Sequence, residues 1–164
     1  MRFAVSAPFL SALLAVSPAM AADCFQERAI YGDADGAYEL RFEPVGSTSA
    51  VTSNHFKVTV GKTGLVLDGI VMQSGEPERA NGMIMNNCPE GDVTGDDIAA
   101  CTVWQGVIYS VGADGKVASL PGEDVAAASQ VLLPDFGPSI RNSPIWGKAT
   151  VAPWDALAFK GCGQ

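Results

Sequence analysis

The chain has 164 residues and carries 10 Lys and Arg against 18 Asp and Glu, a formal net charge of −8 at pH 7. At 48% hydrophobic residues it has enough apolar material to fold around a core. The acidic balance opposes phosphate backbones and anionic lipid, so no nucleic-acid or membrane-surface partner is expected.

The chain opens with Met1-Arg2 and then an apolar stretch from Phe3 to Val16, and Arg2 is the only charge before Asp23. A basic start, an apolar stretch and a small-x-small site, here Ala19-Met20-Ala21 after Pro18, form the pattern of a cleavable secretory signal. Residues 1–21 are predicted to be that signal, and 22–164 a single exported globular domain, periplasmic or secreted and of bacterial type. The run from Phe3 to Ala22 has about the length of a membrane span, but Pro8, Pro18 and the processing site argue for cleavage. Asp23, directly before Cys24, argues against lipid attachment, so no membrane anchor is expected after cleavage. Without Arg2 the mature chain carries 9 bases against 18 acids, a charge of −9.

Cys24, Cys88, Cys101 and Cys162 are even in number and follow an export signal, which predicts two disulfides. Of the three possible connectivities, Cys88–Cys101 and Cys24–Cys162 are expected: one closes a short acidic loop and the other joins the mature ends. No C-x-x-C spacing supports zinc or redox chemistry.

Along the mature chain the periodicity is mostly that of strands. Tyr38 to Glu43 alternates apolar and charged residues and ends at Pro44. Phe56 to Val60 alternates again, Gly61-Lys62-Thr63-Gly64 turns, and Leu65-Val66-Leu67 returns, a hairpin pattern. A bulge is expected at Asp68-Gly69, with the strand continuing through Ile70-Val71-Met72. Glu76 to Asp97 reads as a long loop with a short strand at Met83-Ile84-Met85. Thr102 to Val111 predicts a strand, and Lys116 to Leu120 its return after the turn at Ala113-Asp114-Gly115. Glu123 to Leu133 predicts a helix: acids open it, Val125, Ala128 and Leu132 share a face, and Pro134 stops it. Pro138 and Pro144 mark an irregular connection, and Trp154 to Cys162 predicts a last strand. The expected fold class is mainly β or α+β: a small antiparallel β sandwich or partly open barrel with one short helix, braced by two disulfides.

No nucleotide, phosphate or zinc-protease motif occurs, so no cofactor is expected. His55 is the only histidine and follows Thr52-Ser53-Asn54 at a predicted loop-to-strand junction; a hydrolase would have to use it or a pair of carboxylates. Asp155 beside Trp154 is read as a helix-start or turn contact. Asp33-Ala34-Asp35-Gly36 resembles part of an EF-hand loop, but Tyr31 and Phe42 stand where its first and last acids belong. Asp92, Asp96 and Asp97 are the candidate calcium ligands, in an acidic loop between two cysteines. Trp104 is read as core, whereas Trp146 and Trp154 are candidates for a binding surface for sugar or peptide. The leading expectation is a non-enzymatic exported binding or accessory protein that recognises a protein or cell-envelope component. A small periplasmic hydrolase and a calcium-stabilised structural module are the alternatives.

Overall fold

The computed structural model describes residues 24–46 and 51–164. The predicted signal over 1–21, its processing site and Asp23 lie outside the described residues. Among the described residues ten strands form one antiparallel sheet: β1 Ala29–Gly32, β2 Tyr38–Glu43, β3 Thr52–Val60, β4 Leu65–Ser74, β5 Arg79–Met85, β6 Thr102–Val107, β7 Tyr109–Val111, β8 Val117–Ser119, β9 Gln130–Leu132 and β10 Ala156–Cys162. Two short helices interrupt them, α1 Gly95–Cys101 and α2 Phe136–Asn142. The strands lie in the order β6-β5-β4-β3-β2-β1-β10-β9-β7-β8.

That order dictates the shape. β6 and β7 stand eight strand spacings apart in the sheet, yet only Ile108 separates them along the chain. At about 4.8 Å per spacing a flat sheet would part them by roughly 40 Å, and the two steps through Ile108 reach about 7 Å at most. The sheet therefore curls into a half-barrel whose margins meet at Ile108. The Ile108 amide donates to the Ala80 carbonyl at 2.9 Å, joining the crossing point to the start of β5.

Alternation fills the interior. Tyr38, Leu40 and Phe42 point inward from β2, and Phe56, Val58 and Val60 from β3. Leu67 and Val71 do so from β4, and Ala80 and Ile84 from β5. The β3–β4 hairpin forms as expected, with Val60 opposite Leu65. The bulge expected at Asp68-Gly69 does not occur: Lys57 pairs with Asp68 and Phe56 with Gly69 in unbroken register. Gly69 instead makes room for the Phe56 ring, which a β-carbon at that position would meet at 2.2 Å. The irregularity in this ladder falls between Thr52 and Asn54.

The helix expected over Glu123–Leu133 is also absent. Its first part is bonded outward to the segment after Cys24: Gln26 N donates to Val125 O at 2.8 Å, Glu27 N to Glu123 O at 3.1 Å and Ala127 N to Cys24 O at 2.7 Å. Its last part is β9, paired with β7 and β10. Backbone groups with long-range partners have none left for an i to i−4 ladder. The predicted loop over Glu76–Asp97 contains a full seven-residue strand, β5, and the start of α1. The strand predicted over Thr102–Val111 divides into β6 and β7 at Ile108. Trp104 is core as expected, 2% exposed.

Both expected disulfides are formed. Cys24–Cys162 spans 5.7 Å between α-carbons and Cys88–Cys101 spans 5.2 Å, within the usual range. Structural disulfides form and persist in oxidising compartments. Among the described residues no helix is long and apolar enough to cross a membrane.

Candidate functional site

One end of the half-barrel is closed by α2 and by the returning segment 143–155. The sequence here carries Gly137, Pro138, Pro144 and Pro153 and reads as irregular, yet a helix forms. Pro138 falls in its first turn, where the missing amide proton would have no helical partner anyway. Asp135, at the N-cap position, has φ 60° and makes no side-chain capping bond. The cap comes from 20 residues downstream: Asp155 accepts from Asp135 N at 3.1 Å and from Phe136 N at 3.0 Å. Asp155 is thus the helix-start contact expected of it.

Phe136 enters the barrel end, its ring 5.6 Å from Tyr38 and 6.3 Å from Trp104, both edge-on. Trp104 Nε1 donates to Pro134 O at 2.9 Å and fixes the approach to the helix. Gly137 allows the returning chain to touch the helix: a β-carbon there would stand 2.4 Å from Pro153 O. Tyr38 OH donates to Val151 O at 2.6 Å. Burial, and secondarily the nearby charge of Asp33, push the Tyr38 phenol up to about 12.

These anchors hold the two candidate tryptophans outward. Ile145 is buried before Trp146, and Pro153 is buried before Trp154. Trp146 is 39% exposed and Trp154 is 68% exposed. Arg141, on α2, links them: its guanidinium lies over the Trp146 ring at 5.3 Å, and it lines the cleft that Trp154 borders. That cleft measures about 900 Å³ and is walled by Pro138, Asn142, Pro153 and Trp154. A second cleft, about 940 Å³, is lined by Tyr38, Val60, Leu65 and Val151 with Lys62 and Lys148. Ala34 and Ala152 border the first cleft, and their chain neighbours Asp35 and Val151 the second. Consecutive residues of the β1–β2 turn and of the returning segment thus line the two clefts, and no described residue lines both.

The other candidate residues lie elsewhere. His55 is on β3 with Nδ1 3.5 Å from Glu43, and it lines neither cleft. Asp92, Asp96 and Asp97 belong to the disulfide-closed α1 region, where none of the α1 residues is buried. Asp97 is engaged in a capping box: it accepts from Thr94 N at 2.9 Å and from Thr94 Oγ1 at 2.7 Å. Those bonds hold its carboxyl below the ordinary carboxylate value. Among the described residues no group of three His, Cys, Asp or Glu side chains is placed to hold a metal ion.

Arg141, Lys62 and Lys148 were not singled out from the sequence. No local spacing connects them, because only the barrel topology brings a hairpin tip, a helix and a late loop to one end. Comparison with known protein families, with curated proteins and with solved structures finds no match for this chain.

Proposed function

We propose that this is a non-enzymatic binding protein, exported to the periplasm, that recognises a cell-envelope glycan through the end of the barrel carrying α2. The observation that carries the reading is Trp154, exposed beside a cleft while both its neighbours are fixed. A tryptophan offers about 150–250 Å² of surface, worth roughly 25 cal/mol per Å² when buried. At 68% exposure most of that gain is not taken up by folding and is available to a ligand. Because Pro153 is buried and Asp155 is bonded to the start of α2, the indole is offered at little further ordering cost.

The chemistry around it suits sugar rings. The apolar faces of pyranose rings stack on indole, and their hydroxyls take hydrogen bonds from planar polar groups such as those of Arg141 and Asn142. Asn142 Nδ2 is bonded to Pro138 O at 2.9 Å, which fixes the amide at the cleft wall. The two disulfides support an oxidising compartment, and the signal pattern supports export as the route to it.

The test is a titration of soluble acidic and neutral polysaccharides into the oxidised protein, followed by tryptophan emission. Trp104 is already buried, so a blue shift reports Trp154 and Trp146. A saturable shift that Trp154→Ala abolishes is expected. No shift with any polysaccharide, or a shift unchanged by the substitution, would overturn the reading.

A further inference from the structure

We infer that the glycan is acidic, and that Lys62 and Lys148 receive its carboxylates in the cleft adjoining Trp154. This rests on the glycan reading above and goes beyond it by naming the ligand class.

The distribution of charge motivates the inference. The chain carries 18 acids against 10 bases. Several of its bases are paired on the barrel surface: Arg28 with Glu27, Arg41 with Glu39, Lys57 with Asp68 and Lys116 with Asp114. Lys62 and Lys148 both line the second cleft, and neither forms an ion pair with a described carboxylate. Asp35 is the only acid among the residues lining that cleft. In the adjoining cleft Arg141 is cationic, and the one acid, Asp155, is bonded to two backbone amides. The residues lining the two clefts thus comprise three bases and two acids on a molecule whose overall balance is the reverse, with Asp33, buried beside Tyr38, and Asp135, at the N-cap of α2, as further acids nearby.

The positions of the lysines are set by the fold. Lys62 sits at the tip of the β3–β4 hairpin with φ 63°, between Gly61 and Gly64. Lys148 N donates to Ile145 O at 3.0 Å, in the turn anchored by buried Ile145 and Ala149. Val60, Leu65 and Val151 line the same cleft with apolar side chains. Apolar lining residues beside two lysines that pair with no described carboxylate suit a ring that bears a carboxylate at its edge. Exposed acids more than about 8 Å away act only weakly here, because they are screened at physiological ionic strength. Lysine ammonium groups near a bound carboxylate act as charge-assisted donors.

The experiment compares three polymers by retardation of the oxidised protein in affinity gels: polygalacturonate, its fully methyl-esterified form and poly-L-glutamate. The ester keeps the sugar and removes the charge, and the polypeptide keeps the charge and removes the sugar. Polygalacturonate is expected to bind at least tenfold more tightly than either. A double variant, Lys62→Gln with Lys148→Gln, should lose most of that preference while retaining the melting temperature of the parent. Equal binding of polygalacturonate and its ester would overturn the acid inference and leave the glycan reading standing. Poly-L-glutamate binding as tightly as polygalacturonate would overturn both, because the face would then read charge alone, as on an acidic protein segment. An unchanged preference in the double variant would remove the lysines from the account.

Discussion

Tyr38 shows how one residue serves the core and the site together. Its ring packs on Phe136 and its hydroxyl holds Val151, which lines the second cleft. Its phenol is pushed up to about 12, above the ordinary value of about 10. A raised folded value means that the neutral phenol is favoured in the folded state. The stabilisation is complete below pH about 10 and is lost as pH rises from there through about 12. Tyr31 is shifted upward as well, by burial. Urea denaturation between pH 7 and 12 should therefore show stability falling above pH 10. Tyr38→Phe should make that fall shallower, with Tyr31 supplying the remainder. At neutral pH the same substitution should cost about 1 kcal/mol for the lost hydrogen bond. An unchanged alkaline slope in the variant would contradict the assignment.

At the scale of elements, α2 depends on a residue far away in sequence. Asp155→Ala removes both acceptors at its first turn and should cost about 1 kcal/mol, as loss of an N-cap does. Amide exchange at Asp135 and Phe136 should quicken, whereas that of the β3–β4 hairpin should not. Equal exchange in variant and parent would show that the helix needs no such cap. This dependence explains why α2 was not legible in the sequence: Pro138 reads as a breaker, and the carboxylate that caps the helix lies beyond the next two prolines. The helix expected over Glu123–Leu133 fails for the complementary reason. Its local periodicity is sound, but Gln26, Glu27 and Ala127 tie the segment to the N-terminal strip, and tertiary pairing overrides weak propensity. Where a segment meets its partners nearby, prediction succeeds: β2 spans Tyr38–Glu43 as read from alternation, and the β3–β4 hairpin follows from its turn. For α1 the start signal was present in the sequence as Thr94-x-x-Asp97, the pattern of a capping box.

The whole molecule is held by the curled sheet, whose chain crosses from one margin to the other at Ile108, and by the two disulfides. Cys24–Cys162 encloses nearly the entire described chain, with a sequence separation of 138, and Cys88–Cys101 one of 13. In the chain-entropy model the long loop is worth about 5 kcal/mol and the short one about 3 kcal/mol, as upper values. The long bridge also secures the Cys24–Arg28 strip against which the Glu123–Ala127 segment is bonded. Replacing Cys24 and Cys162 by Ala should lower the denaturation midpoint more than replacing Cys88 and Cys101, whose loop carries no buried helix residue. The opposite ranking would contradict this view of the architecture. The pairing was legible because two cysteines flank a short loop and two lie near the mature ends. The candidate site was legible only in part. Trp146 and Trp154 stand out by residue type, but Arg141, Lys62 and Lys148 join them only once the sheet has curled.

If the α2 end is the ligand face, two exposed aromatic residues allow a direct comparison. Phe25 is 57% exposed in the strip bonded to segment 123–127, and Trp154 is 68% exposed beside α2. Trp154→Ala and Phe25→Ala should be measured side by side for retardation in polygalacturonate gels. At least a tenfold loss of affinity is expected for Trp154→Ala and parental affinity for Phe25→Ala. Equal losses in both, or a loss confined to Phe25→Ala, would contradict that placement of the ligand face.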